Sequence, residues 1–176
     1  MPIAANAITA AAAAALVVVA SLVGVEAPGP AYGDGALEKL TREEAAAYSR
    51  SVFQRADIDH DGALDVDEYA ALAVVKAELA HLNGFIAVER NGALETVALP
   101  INAPAALGDS EQTRIDAVAR HTFYAFAGSD GKMQQGEYLG LEDAIFASSD
   151  LNSNGALTRA ELPLFAQRQA HLSPEV

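Results

Sequence analysis

The sequence predicts a mainly α-helical domain over residues 41–176, and three observations carry that reading. First, apolar residues recur at helical spacing through Tyr48, Val52 and Phe53, and again through Leu141, Ile145 and Phe146. Second, two stretches of one design, Asp57–Glu68 and Asp150–Glu161, each follow such a helix with alternating oxygen-bearing side chains and a central Gly. Third, Thr41-Arg42-Glu43-Glu44 has the form of a helix start, with Thr41 as N-cap and Glu44 closing a capping box. Over 85–99 the sequence also allows a β-hairpin.

The chain has 176 residues, room for one domain or two very small ones. Lys and Arg total 11 against 24 Asp and Glu, a formal net charge of −13. That balance argues against nucleic acid and against an anionic membrane surface, because both need clustered positive charge. It leaves cations and basic partners. With no Cys, disulfides, thiolate metal sites and cysteine nucleophiles are excluded. Ala supplies much of the 51% hydrophobic fraction, so the expected core is Leu, Ile, Val and Phe on small helices.

Residues Ala10–Val25 read AAAAAALVVVASLVGV, without a charge. Glu26, Pro28, Gly29, Pro30, Gly33 and Gly35 follow. An apolar run near the start, followed by small residues, has the form of a secretory signal peptide. Gly29-Pro30-Ala31 before Tyr32 is the expected cleavage point. The segment before the run carries no Lys or Arg, so an uncleaved N-terminal anchor is the alternative, and only in that case is a membrane a partner. The organisation expected is then 1–31 as signal peptide or anchor, 32–40 as linker, and 41–176 as the folded domain.

The two acidic stretches carry the chemistry. In DIDHDGALDVDE, oxygen-bearing side chains fall at places one, three, five, nine and twelve: Asp57, Asp59, Asp61, Asp65 and Glu68. In DLNSNGALTRAE the same places hold Asp150, Asn152, Asn154, Thr158 and Glu161. Ca²⁺ is a hard cation that takes about seven oxygens at roughly 2.3–2.6 Å, so a tight loop must aim alternate side chains inward and then reverse. Gly62 and Gly155, at the sixth place, permit the positive φ of that reversal. Ala63 and Ala156, at the seventh, offer backbone carbonyls. The final Glu can close the shell with two oxygens.

This pattern resembles the EF-hand calcium-binding protein family. The likeness extends to Leu64 and Leu157 at the eighth place and to aromatics four residues before each loop, Phe53 and Phe146. The outgoing helices continue with Tyr69, Leu72, Val75 and Leu79, and with Leu162, Leu164 and Phe165. The resemblance implies helix–loop–helix hands that pair through short strands, with two bound Ca²⁺ ions. Intact hands would span 41–82 and 136–172.

Between them the pattern decays. Over 111–148 a degenerate hand places Gly131, Met133 and Glu137 at the sixth, eighth and twelfth places, but counting back puts Phe126 at the first. A one-residue deletion in the incoming half explains this, and no ordinary Ca²⁺ site is expected there. Lys132 adds a repelling charge. The strand at Lys132–Gln134 is expected to pair with Ala156–Thr158. One helix, about Gly136 to Ser148, must serve two loops. Such close spacing resembles secreted bacterial EF-hand proteins. The segment Phe85–Leu99 alternates around Asn91-Gly92, a hairpin signal, yet Gly92-Ala93-Leu94-Glu95 echoes the first loop. It is either a hairpin or a vestigial hand, and either would lay a strand beside Leu64. A helix is expected from about Ser110 to Ala125, with Ile115, Val118, Ala119, Thr122 and Phe123 facing inward.

No H-E-x-x-H and no Gly-rich phosphate loop occurs, and His60, His81, His121 and His171 read as surface residues. The expectation is therefore no enzyme, but calcium binding by two loops in a periplasmic or secreted protein. Its role is a Ca²⁺-stabilised module or buffer, or alternatively a sensor or interaction protein that exposes an apolar groove to an unidentified protein partner. Only two Met residues, Met1 and Met133, weigh against the groove. Ile58 and Leu151 at the second place weigh against a lanthanide-binding relative, which would carry Pro there.

Overall fold

The structure is a computed structural model and describes residues 35–90 and 92–171. The signal-peptide or anchor segment, and the end of the last hand beyond His171, lie outside the described residues.

The element order is β1 (Lys39–Thr41), α1 (Arg42–Ala56), β2 (Ala63–Leu64), α2 (Val66–Asn83), β3 (Phe85–Arg90), β4 (Ala93–Ala98), α3 (Asp109–Phe126), β5 (Met133–Gln134), α4 (Gln135–Ser149), β6 (Ala156–Thr158) and α5 (Leu162–Gln169). The mainly helical expectation holds. The capping box that starts α1 is formed: Thr41 Oγ1 accepts from the Glu44 N–H at 3.3 Å, and Glu44 Oε2 accepts from the Thr41 N–H at 2.9 Å. α2 starts the same way, with Asp65 as N-cap and Glu68 reaching back. It ends on Gly84, whose φ of 74° supplies the left-handed cap that releases the chain into β3.

The segment 85–99 is a hairpin. β3 and β4 pair antiparallel from Phe85↔Ala98 to Arg90↔Ala93, so the chain reverses between Arg90 and Ala93.

Two expected pairings are replaced. β5 pairs with β2, matching Leu64 with Met133, and β6 pairs with β1, matching Leu157 with Leu40. The reason is length. α4 has 15 residues, about 22 Å at 1.5 Å each, and β5 and β6 lie at its opposite ends, so they cannot meet. The hairpin fails to reach Leu64 for the same reason, because the 18 residues of α2 separate them. Part of the expected linker at 32–40 is structured: Leu37 and Leu40 are buried, and the Leu37 N–H donates to the Thr96 carbonyl at 2.9 Å. These apolar side chains join the core beside the last loop, and the backbone of Leu40 covers the open edge of β6 while that of Leu37 bonds β4.

Two apolar clusters result. One gathers Phe53, Leu64, Tyr69, Ile115, Phe123, Met133 and Tyr138 around the β2–β5 contact. The other gathers Leu40, Val88, Val97, Phe146, Leu157, Leu162 and Phe165 around β6 and the hairpin. Aromatic pairs bind each, with Phe53–Tyr138 centroids 5.6 Å apart and Phe146–Phe165 6.4 Å apart. Each such fully buried side chain stabilises the fold by about 1.5–3 kcal/mol. α2 buries Tyr69 and the small stripe Ala70, Ala73, Ala77 and Ala80, while Leu79 is exposed; the outgoing helix therefore packs on its alanines rather than on the larger residues. On α3, Ile115, Ala119 and Phe123 face inward as expected, but Val118 points out.

Candidate metal centre

Each loop begins where a helix ends. The Asp57 N–H caps α1 by donating to the Phe53 carbonyl at 3.0 Å, and the Asp150 N–H caps α4 by donating to Phe146 at 3.0 Å. The aromatic four residues before each loop thus holds the first ligand position by its backbone and anchors the core by its ring.

Within the first loop the carboxylates are fixed by backbone amides. Asp57 accepts from the N–H groups of Asp61 (3.1 Å) and Gly62 (3.0 Å). Asp59 accepts from Asp61 N–H (3.1 Å), and Asp61 from Ala63 N–H (3.0 Å). The last loop repeats the scheme. Asp150 accepts from Asn154 N–H (3.1 Å) and Gly155 N–H (2.8 Å), Asn152 from Asn154 N–H (3.1 Å), and Asn154 from Ala156 N–H (2.9 Å). The backbone also matches: His60 and Ser153, at the fourth place, have φ of 59° and 56°, and Gly62 and Gly155 have 89° and 78°.

The twelfth-place Glu spans each loop. Glu68 accepts from Ile58 N–H (2.8 Å) with one oxygen and from Asp65 N–H (2.9 Å) with the other. Glu161 accepts from Leu151 N–H (3.1 Å) and from Thr158 N–H (3.0 Å) likewise. The Thr158 amide and hydroxyl, then the Asn152 and Leu151 amides, hold the Glu161 carboxyl below its ordinary pKa. The ninth-place side chains differ. Asp65 turns to the helix start and accepts from the Asp67 and Glu68 amides at 2.8 Å each, while the Thr158 hydroxyl donates to Glu161 at 2.8 Å. Ala63 and Ala156 begin β2 and β6.

Asp57, Asp59 and Asp61 each offer a carboxylate oxygen within 4.8 Å of the others. Oxygens sharing one ion at roughly 2.3–2.6 Å can lie no more than about 5 Å apart, so this spacing suits a single Ca²⁺. The donors are all oxygen, which favours Ca²⁺ or Mg²⁺ over zinc or copper. The last loop brings Asp150 and Glu161 together with the neutral oxygens of Asn152, Asn154 and Thr158, so its negative charge is lower.

The degenerate loop is legible against these two. The Ala127 N–H makes the helix-ending bond to Phe123 at 2.7 Å, so Ala127 stands where Asp57 and Asp150 stand. The loop Ala127–Glu137 is one residue short in its incoming half. Its outgoing half survives: Asp130 accepts from Lys132 N–H at 3.1 Å and Glu137 from Gln134 N–H at 2.8 Å.

One contact at the site was not anticipated. Lys132 Nζ donates to Asp61 Oδ2 at 2.7 Å, an ion pair between the degenerate loop and the first. This hydrogen bond, with that from Ala63 N–H, holds the Asp61 carboxyl below its ordinary pKa. From the sequence Lys132 reads only as a repelling charge in its own loop; the β2–β5 pairing that carries it to Asp61 has no local signal.

No curated protein and no solved structure matches the chain. A family model described as EF hand matches residues 50–73, which takes in the end of α1, the whole first loop and the start of α2. That match and the Asp57, Asp59, Asp61 cluster together support an EF-hand family and a calcium-binding role for this chain.

Proposed function

We propose that the chain binds two Ca²⁺ ions, one in Asp57–Glu68 and one in Asp150–Glu161, and serves as an exported, Ca²⁺-stabilised module or buffer. The observation that carries the second ion is the repeat, at places one, three, five and twelve, of the first loop's bonds from backbone amides to side-chain oxygens. Asp57, Asp59, Asp61, Asp65 and Glu68, with the Ala63 carbonyl, would hold one ion. Asp150, Asn152, Asn154, Thr158 and Glu161, with the Ala156 carbonyl, would hold the other. Bound Ca²⁺ supplies charge that draws the carboxylates together and links incoming to outgoing helix. The module or buffer reading is favoured over a sensor by Met133, which is 0% exposed and packs in the core rather than lining a groove. Export rests on the apolar run Ala10–Val25. Among the described residues no helix is long and apolar enough to cross a membrane.

Calorimetric Ca²⁺ titration tests the stoichiometry. Two ions per chain are expected, falling to one in Glu161→Gln; one or three resolved sites in the unaltered chain would overturn the reading. Intact-mass measurement of the natively expressed protein tests export. A chain beginning near Tyr32 is expected, whereas Met1–Ala31 retained in a membrane fraction points to the anchor.

A further inference from the structure

We propose that Lys132 is a tethered competitor for the first calcium loop: its ammonium occupies the Asp61 oxygen that a bound ion would need, and so sets the affinity of that loop. The inference rests on the calcium-binding reading above.

The geometry is built rather than incidental. β2 and β5 pair over two residues each, and Leu64 and Met133, both 0% exposed, lock that register from the core side. Lys132 immediately precedes β5, and its own N–H is tied to Asp130 at 3.1 Å. Its side chain is therefore held across the pair from the fifth place of the first loop. Asp61 has two oxygens. Oδ1 accepts from Ala63 N–H at 3.0 Å, inside the loop, and Oδ2 accepts from Lys132 Nζ at 2.7 Å. The oxygen left by the loop's internal bonding is the one the ammonium takes. Among the described residues no Lys or Arg side chain bonds a ligand of the last loop, whose strand pairs instead with Lys39–Thr41.

The degenerate loop thus keeps a function after losing its own site. A cation fixed on the paired loop stands in for part of the metal charge when Ca²⁺ is absent, relieving repulsion among five carboxylates. When Ca²⁺ arrives, the ammonium must leave Asp61 Oδ2 and then stands near a doubly charged ion. Both effects weaken binding. Two like charges a few ångströms apart at a solvated surface, together with an exposed ion pair, amount to roughly a threefold to tenfold change in affinity.

The test uses the full chain carrying Glu161→Gln, which leaves the first loop as the binding site, titrated calorimetrically with Ca²⁺. Lys132→Gln is expected to bind about threefold to tenfold more tightly than its parent, and Lys132→Glu more tightly again. Lys132→Arg, which keeps the charge, should stay near the parent. Lys132 is half exposed, so these variants are expected to fold, and circular dichroism melts check each. The melts also carry a second readout: the rise in Tm on adding Ca²⁺ should be larger in Lys132→Gln than in the parent. Binding that is unchanged or weaker in both Lys132→Gln and Lys132→Glu, while the parent binds, overturns the competitor role alone. Failure of the parent and of the unaltered chain to bind Ca²⁺ overturns the calcium reading and this proposal together.

Discussion

At the scale of single residues, the two loops share a backbone but differ in charge. The first presents five carboxylates, Asp57, Asp59, Asp61, Asp65 and Glu68; the last presents two, Asp150 and Glu161. Ligand charge and site rigidity tune such loops over roughly 10⁻⁹ to 10⁻³ M. Lys132 offsets one ligand charge of the first loop, which leaves its ligand set the more negative by two. The first loop is therefore expected to bind Ca²⁺ more tightly, and to weaken more when salt is raised, because exposed charges are screened beyond about 10 Å at 0.1 M. Calorimetry on Asp57→Ala against Asp150→Ala decides: if the variant that keeps only the last loop binds more tightly at low salt, charge does not govern the ranking. The acidic cluster of Asp57, Asp59 and Asp61 was legible in the sequence, because residue spacing and the glycine at place six are local features. His60 and Ser153 were less so. Their positive φ arises from the loop closing on itself, and neither residue type announces a left-handed position as Gly does.

At the scale of elements, helices were readable and strand partners were not. Periodicity and caps lie within ten or twenty residues, whereas the choice of β1 for β6 and β5 for β2 depends on where a shared helix carries its two ends. That choice has a binding consequence. The intact loops do not pair with each other: each lies beside a strand from outside the intact sites, β2 beside β5 and β6 beside β1. Without a shared strand contact, coupling between the two loops would have to run the length of α1 or α4. The two ions are expected to bind independently, with Asp150→Ala changing first-loop affinity less than about twofold; a larger change shows coupling through the core. Thr41 joins two elements at once, since its hydroxyl caps α1 and its backbone pairs with Ala156. Thr41→Ala keeps the pairing and removes the cap. It should cost about 1 kcal/mol in denaturant unfolding. A loss near zero would show that the cap contributes nothing beyond its backbone.

At the scale of the whole molecule, a polar cluster joins α2, α4 and α5. Glu142, 9% exposed, lies 3.6 Å from Lys76 Nζ and accepts from the Gln169 amide at 2.6 Å, and Lys76 also bonds Gln169. Such a network favours one arrangement of helices, because separating them strands buried polar groups. His171 packs at its margin, beside Lys76 of α2, Tyr138 and Glu142 of α4 and Gln169 of α5, and is half-buried, not the surface residue the sequence suggested. Burial pushes its pKa down to about 4, Lys76 and Arg114 push the same way, and Glu142 opposes them. The folded protein therefore keeps His171 neutral, while the unfolded chain protonates it near the ordinary value of 6.5. Between those two values the unfolded state holds the extra proton, so stability is full above pH 6.5 and falls as pH is lowered toward 4. The ceiling on the loss is about 3 kcal/mol, reduced because the ring is partly solvated. The lowered carboxylates of Glu44, Asp61, Asp143 and Glu161 lose their stabilisation at lower pH, from the ordinary carboxylate range downward. Denaturant unfolding of the metal-free protein between pH 7 and 4.5 should show this slope, and His171→Gln should flatten it. An NMR titration gives the direct check: a His171 midpoint near 6.5 would mean the ring is solvated, and the slope would then need another source.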